Sequence, residues 1–235
     1  MIILKDGSKT VNPRLGCCIV PRSEQTVGYG IMGLLEDTRP FRSYTWRCSK
    51  VLDQGVDGMC VSTGVGHNLI ARPVENTLVD ITLCREKIYW EAQKLDPWPG
   101  GAYPRAFPKY EGTTVEGGAQ ATKNAGMIEG YYWADTLDEL RRGIAYHGPA
   151  TIGVNWYEGM FGTDKDGFIK VKGSIQGGHC VCLTGVQEKK GYFYGVNSWG
   201  VGWGLKGFFK ISFADMEKLL REDGQACFLV GERKL

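Results

Sequence analysis

Apolar and polar positions split this chain of 235 residues into two regimes. Val74, Leu78, Ile81, Ile88, Ala92 and Leu95 recur in steps of three, four and seven, one face of a 3.6-residue period. That spacing predicts an amphipathic helix over 74–95, ended by Asp96-Pro97. A helix is also expected over 60–71, stopped at Arg72-Pro73 because a residue before proline avoids the helical region. The Pro- and Gly-rich stretch 97–118 reads as loop, and 119–127 as a short Ala-rich helix. Thr136-Leu137-Asp138-Glu139 has the form of a capping box. It opens a helix through Leu137, Leu140 and Ile144 that closes at Gly148-Pro149.

After Pro149 the period shortens. Runs at 150–156, 179–186, 192–196 and 207–213 are rich in β-branched and aromatic residues and are separated by glycine turns, which predicts strands. The first 40 residues, with Pro13, Pro21 and Pro40, read as an irregular extension. The expected architecture is α+β: an extension over 1–40, a mainly helical lobe over 41–147, a mainly β lobe over 148–235, and a cleft between the lobes.

Composition narrows the functions this architecture serves. An apolar share of 43% supports a real core, and 34 glycines imply many turns and close backbone approaches. A net charge of +2 without a basic stripe argues against nucleic acid as a partner, since phosphate binding needs clustered Lys and Arg. No apolar run approaches the ~18 residues of a membrane span, so no membrane partner is expected. Met1-Ile2-Ile3-Leu4 is followed at once by Lys5-Asp6, too short for a signal peptide's apolar region. The expected location is therefore the cytoplasm, with the eight cysteines mostly free thiols.

Among the three histidines, His67 falls inside a helix and His147 in the last turn of another, where a structural ring or a favourable cation at the helix dipole suffices. His179 follows Gly177-Gly178 and opens a strand, where small neighbours leave its ring accessible from a cleft. Cys60 follows the turn 54–59 and opens a helix, whose free N–H groups stabilise a thiolate. Cys84, Cys180 and Cys182 sit inside regular apolar patterns and read as inert buried thiols. Cys17-Cys18 and Cys180-x-Cys182 lack the paired spacing of structural zinc sites, and strand alternation turns His179 away from Cys180 and Cys182. No metal or other cofactor is expected.

Three segments then fall into one pattern. Asp53-Gln54-Gly55-x-x-Gly58-x-Cys60 resembles the nucleophile segment of papain-like cysteine peptidases, the family of papain and the cathepsins. Gly177-Gly178-His179 is similar to the histidine segment, and Asn197-Ser198-Trp199-Gly200-x-Gly202-Trp203-Gly204 to the asparagine segment. The offsets from Cys60 are 119 and 137 residues, near the about 130–150 of this class. The resemblance spans roughly residues 41–230 and implies a two-lobed fold with a β-barrel-like second lobe. It implies Cys60 as nucleophile, His179 as base and acid, Asn197 as the group orienting the imidazole, and Trp199 as its cover. Gln54 is implied as an oxyanion donor beside the Cys60 N–H, and a peptide or protein as substrate, with a proteinaceous inhibitor as a further partner. It also implies that Gly58 lies at the groove, that Gly117-Gly118 binds an extended substrate backbone, and that Gly153 and Gly178 line a roomy apolar specificity pocket.

The chain departs from the family at several points. Asp57 stands at a disulfide cysteine, whose usual partner position reads as Val115, and Val61 stands where a Trp is usual. Gly173 stands where Cys227 would find its partner. The disulfides of the family are therefore not expected, and the leaderless reading suits a microbial or viral intracellular enzyme. Two other functions are compatible with the same residues: Cys–His amide or isopeptide hydrolysis or acyl transfer, and a silent papain-like scaffold that binds without turnover.

Overall fold

The structure, a computed structural model, describes every residue except 25, 27, 36–38 and 232–235. The chain opens with a hairpin of β1 (Ile2–Ile3) and β2 (Lys9–Thr10), continues extended, and reaches β3 (Tyr44–Thr45). Helix α1 (Cys60–Ile70) follows, and all of its residues are buried. Its residues are apolar or small except His67 and Asn68, whose side chains are hydrogen-bonded, as a helix enclosed on all faces requires. Sheet residues pack on one flank, and the helices that follow pack on the other.

The helix expected over 74–95 starts later, at 81. Glu75 has φ of 54°, outside the helical region, and Asn76 Oδ1 accepts from the Leu78 N–H in a turn. Asp80 then caps the true start, its Oδ1 accepting from Leu83 N at 2.8 Å. From there α2 (Ile81–Leu83), a π-helical stretch (Cys84–Tyr89) and α3 (Trp90–Leu95) run without interruption. Helix α4 (Val115–Asn124) begins four residues before the expected 119, because Thr114 Oγ1 caps it by accepting from Gly117 N at 2.9 Å.

Strand β4 (Gly130–Ala134) leads to α5 (Leu137–Tyr146), whose capping box is present: Thr136 Oγ1 accepts from Glu139 N while Glu139 Oε2 accepts from Thr136 N. β5 (Ala150–Tyr157), β6 (Ile175–Gln187), β7 (Tyr192–Val196), β8 (Phe208–Ser212), α6 (Phe213–Arg221) and β9 (Gln225–Val230) complete the chain. The strands pair antiparallel in the order β4-β9-β5-β6-β7-β8, with β3 against β6. Among the described residues no pairing joins β4 to β8, so no ladder closes the sheet into a barrel.

Two hydrophobic clusters hold these layers. One joins Ile152, Val154, Val181, Leu183, Phe193 and Phe209 of the sheet to Leu140 and Ile144 of α5 and to Met216 and Leu219 of α6. The other joins α1, the π-helical stretch and α4 to Cys180 and Cys227. Strand alternation in β6 therefore sends Cys180 toward α1 and Val181 and Leu183 to the opposite cluster. His67 is structural: its Nε2 accepts from Leu52 N at 2.9 Å, and burial lowers its pKa to about 3. His147 Nε2 bonds the Leu229 carbonyl at 2.8 Å. All eight cysteines are free.

Candidate active site

Cys60 is the first residue of α1, so its sulfur lies where the unpaired N–H groups of that helix favour a thiolate. His179 approaches from β6, paired in register with Val154 of β5. Its Nε2 lies 2.8 Å from Asn197 Oδ1. The Ser198 N–H also donates to that oxygen at 2.8 Å, which fixes the asparagine's oxygen toward the ring and makes Nε2 the protonated nitrogen. Nδ1 is then left as the basic nitrogen. It is buried with no hydrogen-bond partner. The ring is wedged between Trp156, at 4.6 Å, and Trp199, at 4.8 Å. Trp199 in turn stacks on Phe161 and excludes water from the His179–Asn197 pair.

Burial dominates the electrostatics. It lowers the His179 pKa to about 4, against the opposing Asn197 bond, and it raises the Cys60 thiol to about 11, against nearby backbone N–H groups that include Gly16. Each group as it stands is neutral, the thiol protonated and the imidazole uncharged.

Gln54 is 1% exposed, and each side of its amide is engaged. Its Nε2 donates to the carbonyl oxygens of Asp57, at 2.6 Å, and Arg14, at 3.2 Å, while its Oε1 accepts from Ser198 Oγ at 2.8 Å. Ser198 thus aims the Gln54 N–H toward the groove. This role was not read from the sequence, although Ser198 lies inside the recognised segment.

The groove itself is filled by the chain's own extension. Residues 14–18 run along it as a strap: Cys17 N donates to Gly178 O at 3.1 Å, Cys18 N to Thr113 O at 2.9 Å, and Thr113 N to Gly16 O at 3.0 Å. Contact is close enough that a Cβ on Gly16 would lie 1.9 Å from Gly58 O, and one on Gly178 would lie 2.0 Å from Cys17 O. Only glycine permits either approach. Arg14 lies over Trp199, 5.9 Å from the ring centre. The hairpin before the strap is anchored by Lys5, which bonds the Gln93 carbonyl and lies 3.7 Å from Asp96 in a fully buried pair.

The structure thus brings His179, Asn197, Gln54 and Trp199 together, and the strap runs from them past Cys60, Gly58 and Gly178, with two corrections among the expected substrate contacts. Gly117 and Gly118, expected before the helix as a pair that binds extended substrate backbone, have their N–H groups taken by Thr114. They lie in the first turn of α4, and a Cβ on Gly118 would meet Val61 Cγ1 of α1 at 2.6 Å. The extended backbone that pairs with the strap belongs to Thr113, and the signal for this was Thr114, whose capping oxygen starts the helix before the glycines. The second correction concerns the pocket at Gly153, which is not roomy. A Cβ there would meet Val115 Cγ2 at 2.4 Å and Cys17 Sγ at 3.0 Å, so a valine and the strap's cysteine take the space. Asp57 pairs instead with Arg85 at 2.8 Å.

Comparison with known proteins follows the same lines. Residues 90–224 match the family described as papain family cysteine protease. Cathepsin B-like cysteine proteinase 6 of Caenorhabditis elegans is 31% identical over 122 residues, covering 50% of this chain and 32% of the relative. Cathepsin B-like cysteine proteinase 3 of Ostertagia ostertagi is 32% identical over 122 residues, covering 49% of this chain and 70% of the relative. The chain thus spans about a third of the length of the first of these relatives. In fold it is similar to xylellain, a cysteine protease from Xylella fastidiosa, with a TM-score of 0.69 at 16% identity over 96% of this chain and 99% of the other. It is also similar to procathepsin B S9 from Trypanosoma congolense, with a TM-score of 0.55 at 15% identity over 94% and 87% of the two chains.

Proposed function

Since the chain belongs to the papain family of cysteine proteases, we propose that it hydrolyses peptide bonds through Cys60, His179 and Asn197, and that residues 14–18 hold it in a self-blocked state. The observation that carries this reading is the His179–Asn197 pair: a buried imidazole with Nε2 committed at 2.8 Å and Nδ1 uncommitted.

With the strap displaced by a peptide, His179 Nδ1 takes the proton of the Cys60 thiol, and Asn197 stabilises the imidazolium through Nε2–H. The thiolate attacks the carbonyl carbon of the scissile bond. The oxyanion takes the place now held by the Arg14 oxygen, where Gln54 Nε2 and the Cys60 backbone N–H donate to it. His179 then protonates the leaving amine as the C–N bond breaks, leaving a thioester on Cys60. Water, deprotonated by His179, attacks the thioester and releases the acid. Water access returns with the strap's departure, and with it the ion-paired form of thiol and imidazole that burial now suppresses.

Among the backbone groups that favour the Cys60 thiolate, Gly16 of the strap contributes most, ahead of Cys180, Val61 and Cys60 itself. Replacing Cys60 with Ala is expected to abolish hydrolysis of a fluorogenic peptide and labelling by a thiol-directed epoxide. Unchanged hydrolysis in that variant overturns the reading.

A further inference from the structure

The nucleophile's turn is held from below by a carboxylate that the mechanism does not use. Gly58, two residues before Cys60, donates its N–H to Glu111 Oε2 at 3.0 Å. The same oxygen accepts from Tyr89 OH at 2.6 Å, and the Tyr89 oxygen accepts from Gly112 N at 2.8 Å. One chain of hydrogen bonds thus connects the turn before Cys60, the helix 81–95 and the groove edge at Gly112–Thr113. Gly58 also lies flat on the carboxylate, since a Cβ there would sit 2.9 Å from Glu111 Cβ and 3.0 Å from Oε2. Its carbonyl, on the other side, touches the strap at Gly16.

We propose that Glu111, supported by Tyr89, is a positioning residue that sets the height of Cys60 and its N–H against the Gln54 amide, and the reach of the Thr113 edge toward bound backbone. This rests on the peptidase reading for its consequence in turnover, but not for its consequence on the thiol. Tyr89 is 1% exposed and ends the π-helical stretch, with its hydroxyl on Glu111. Burial, with Glu111 beside it, keeps the phenol protonated and therefore a donor. The clip crosses the same turn as the Asp57–Arg85 pair, and no disulfide shares the task.

Glu111→Leu fills the space but supplies no acceptor. Glu111→Gln keeps one carbonyl oxygen able to receive both bonds, and Tyr89→Phe removes a single hydroxyl. All three are made in the full chain carrying Gly16→Val, so that the strap is unseated alike in each. Glu111→Leu is expected to lower kcat about ten- to hundredfold with KM little changed, and to raise the pH midpoint of Cys60 alkylation by iodoacetamide. Glu111→Gln is expected to restore both readouts, and Tyr89→Phe to fall between, which preserves the test where the leucine variant fails to fold. Wild-type kcat and alkylation midpoint in folded Glu111→Leu or Tyr89→Phe overturn the proposal. So does Glu111→Gln falling as far as leucine. Alkylation needs no substrate, so a shifted midpoint in a chain that cleaves no peptide rejects the peptidase reading while upholding Glu111.

Discussion

Gln54 Nε2 donates to the Arg14 carbonyl oxygen at 3.2 Å, so a peptide oxygen of the same chain occupies the position proposed for the oxyanion. Displacing the strap should therefore release activity. Gly16→Val places side-chain atoms against Gly58 O, where even a Cβ would lie at 1.9 Å. Overpacking of this kind costs about 1–3 kcal/mol, which corresponds to a rise of about five- to hundredfold in the open population. The expected result is that rise in kcat/KM on a fluorogenic peptide and in the rate of epoxide labelling of Cys60. No increase in either, with the fold intact, would count against self-blocking.

The Ser198 hydroxyl, as distinct from its N–H, which holds Asn197, is expected to act on catalysis only through Gln54. Removing this hydroxyl leaves Gln54 Oε1 without its partner and frees the amide to rotate away from the groove. Ser198→Ala should lower kcat by about five- to hundredfold, while Gln54→Ala should lower it about 10²–10³-fold. Because both changes remove the same donor, the double variant should be no slower than Gln54→Ala alone. Additive losses in that cycle would show that Ser198 works by another route.

Much of this site was legible before any coordinates. Cys60, His179, Asn197 and Gln54 carry side-chain chemistry in ordered segments, and the capping box at Thr136 announces its helix through local hydrogen bonding. What stayed hidden depends on contacts distant in sequence. Glu111 reads as a loop carboxylate until Gly58 and Tyr89 arrive beside it. β4 and β9 are short and find their ladder in each other and β5, and the 14–18 segment shows no periodicity because its backbone is held by Thr113 and Gly178. Val74 and Leu78 matched the helical period by position alone, while the backbone at Glu75 breaks it.

Gly118 separates packing from substrate binding. Its Cα faces Val61 Cγ1, and a valine methyl on a stiff side chain has little room to withdraw. Gly118→Ala should lower stability by about 1–3 kcal/mol, seen as a reduced urea midpoint with unchanged slope. KM for peptides should stay at its wild-type value. A raised KM with full stability would return this glycine to the binding groove.

Acid should weaken the fold through two histidines at once. Burial holds His67 near pKa 3 and His179 near 4, both below the ordinary 6.5, so the folded chain binds fewer protons than the unfolded chain. Stability is then complete above about pH 6.5 and falls as pH drops through 6.5 toward those lowered values, because unfolding frees both rings to charge. At about pH 5 each contributes a loss of about 2 kcal/mol. The two differ in how they can be relieved. His67 gives up its bond from the Leu52 N–H when protonated, which disturbs the core of α1, whereas His179 can regain water once the strap leaves. Arg14 of the strap acts on the ring in both directions, its backbone favouring the charged form and, more weakly, its guanidinium opposing it. Urea midpoints should therefore drop between pH 7.5 and 5, and His67→Gln should remove about half of that drop. Over the same range the amides of Cys17 and Cys18 should exchange hydrogen faster relative to those of α1, and His179→Gln should abolish that difference. A strap whose relative exchange ignores pH would mean that His179 does not govern its release.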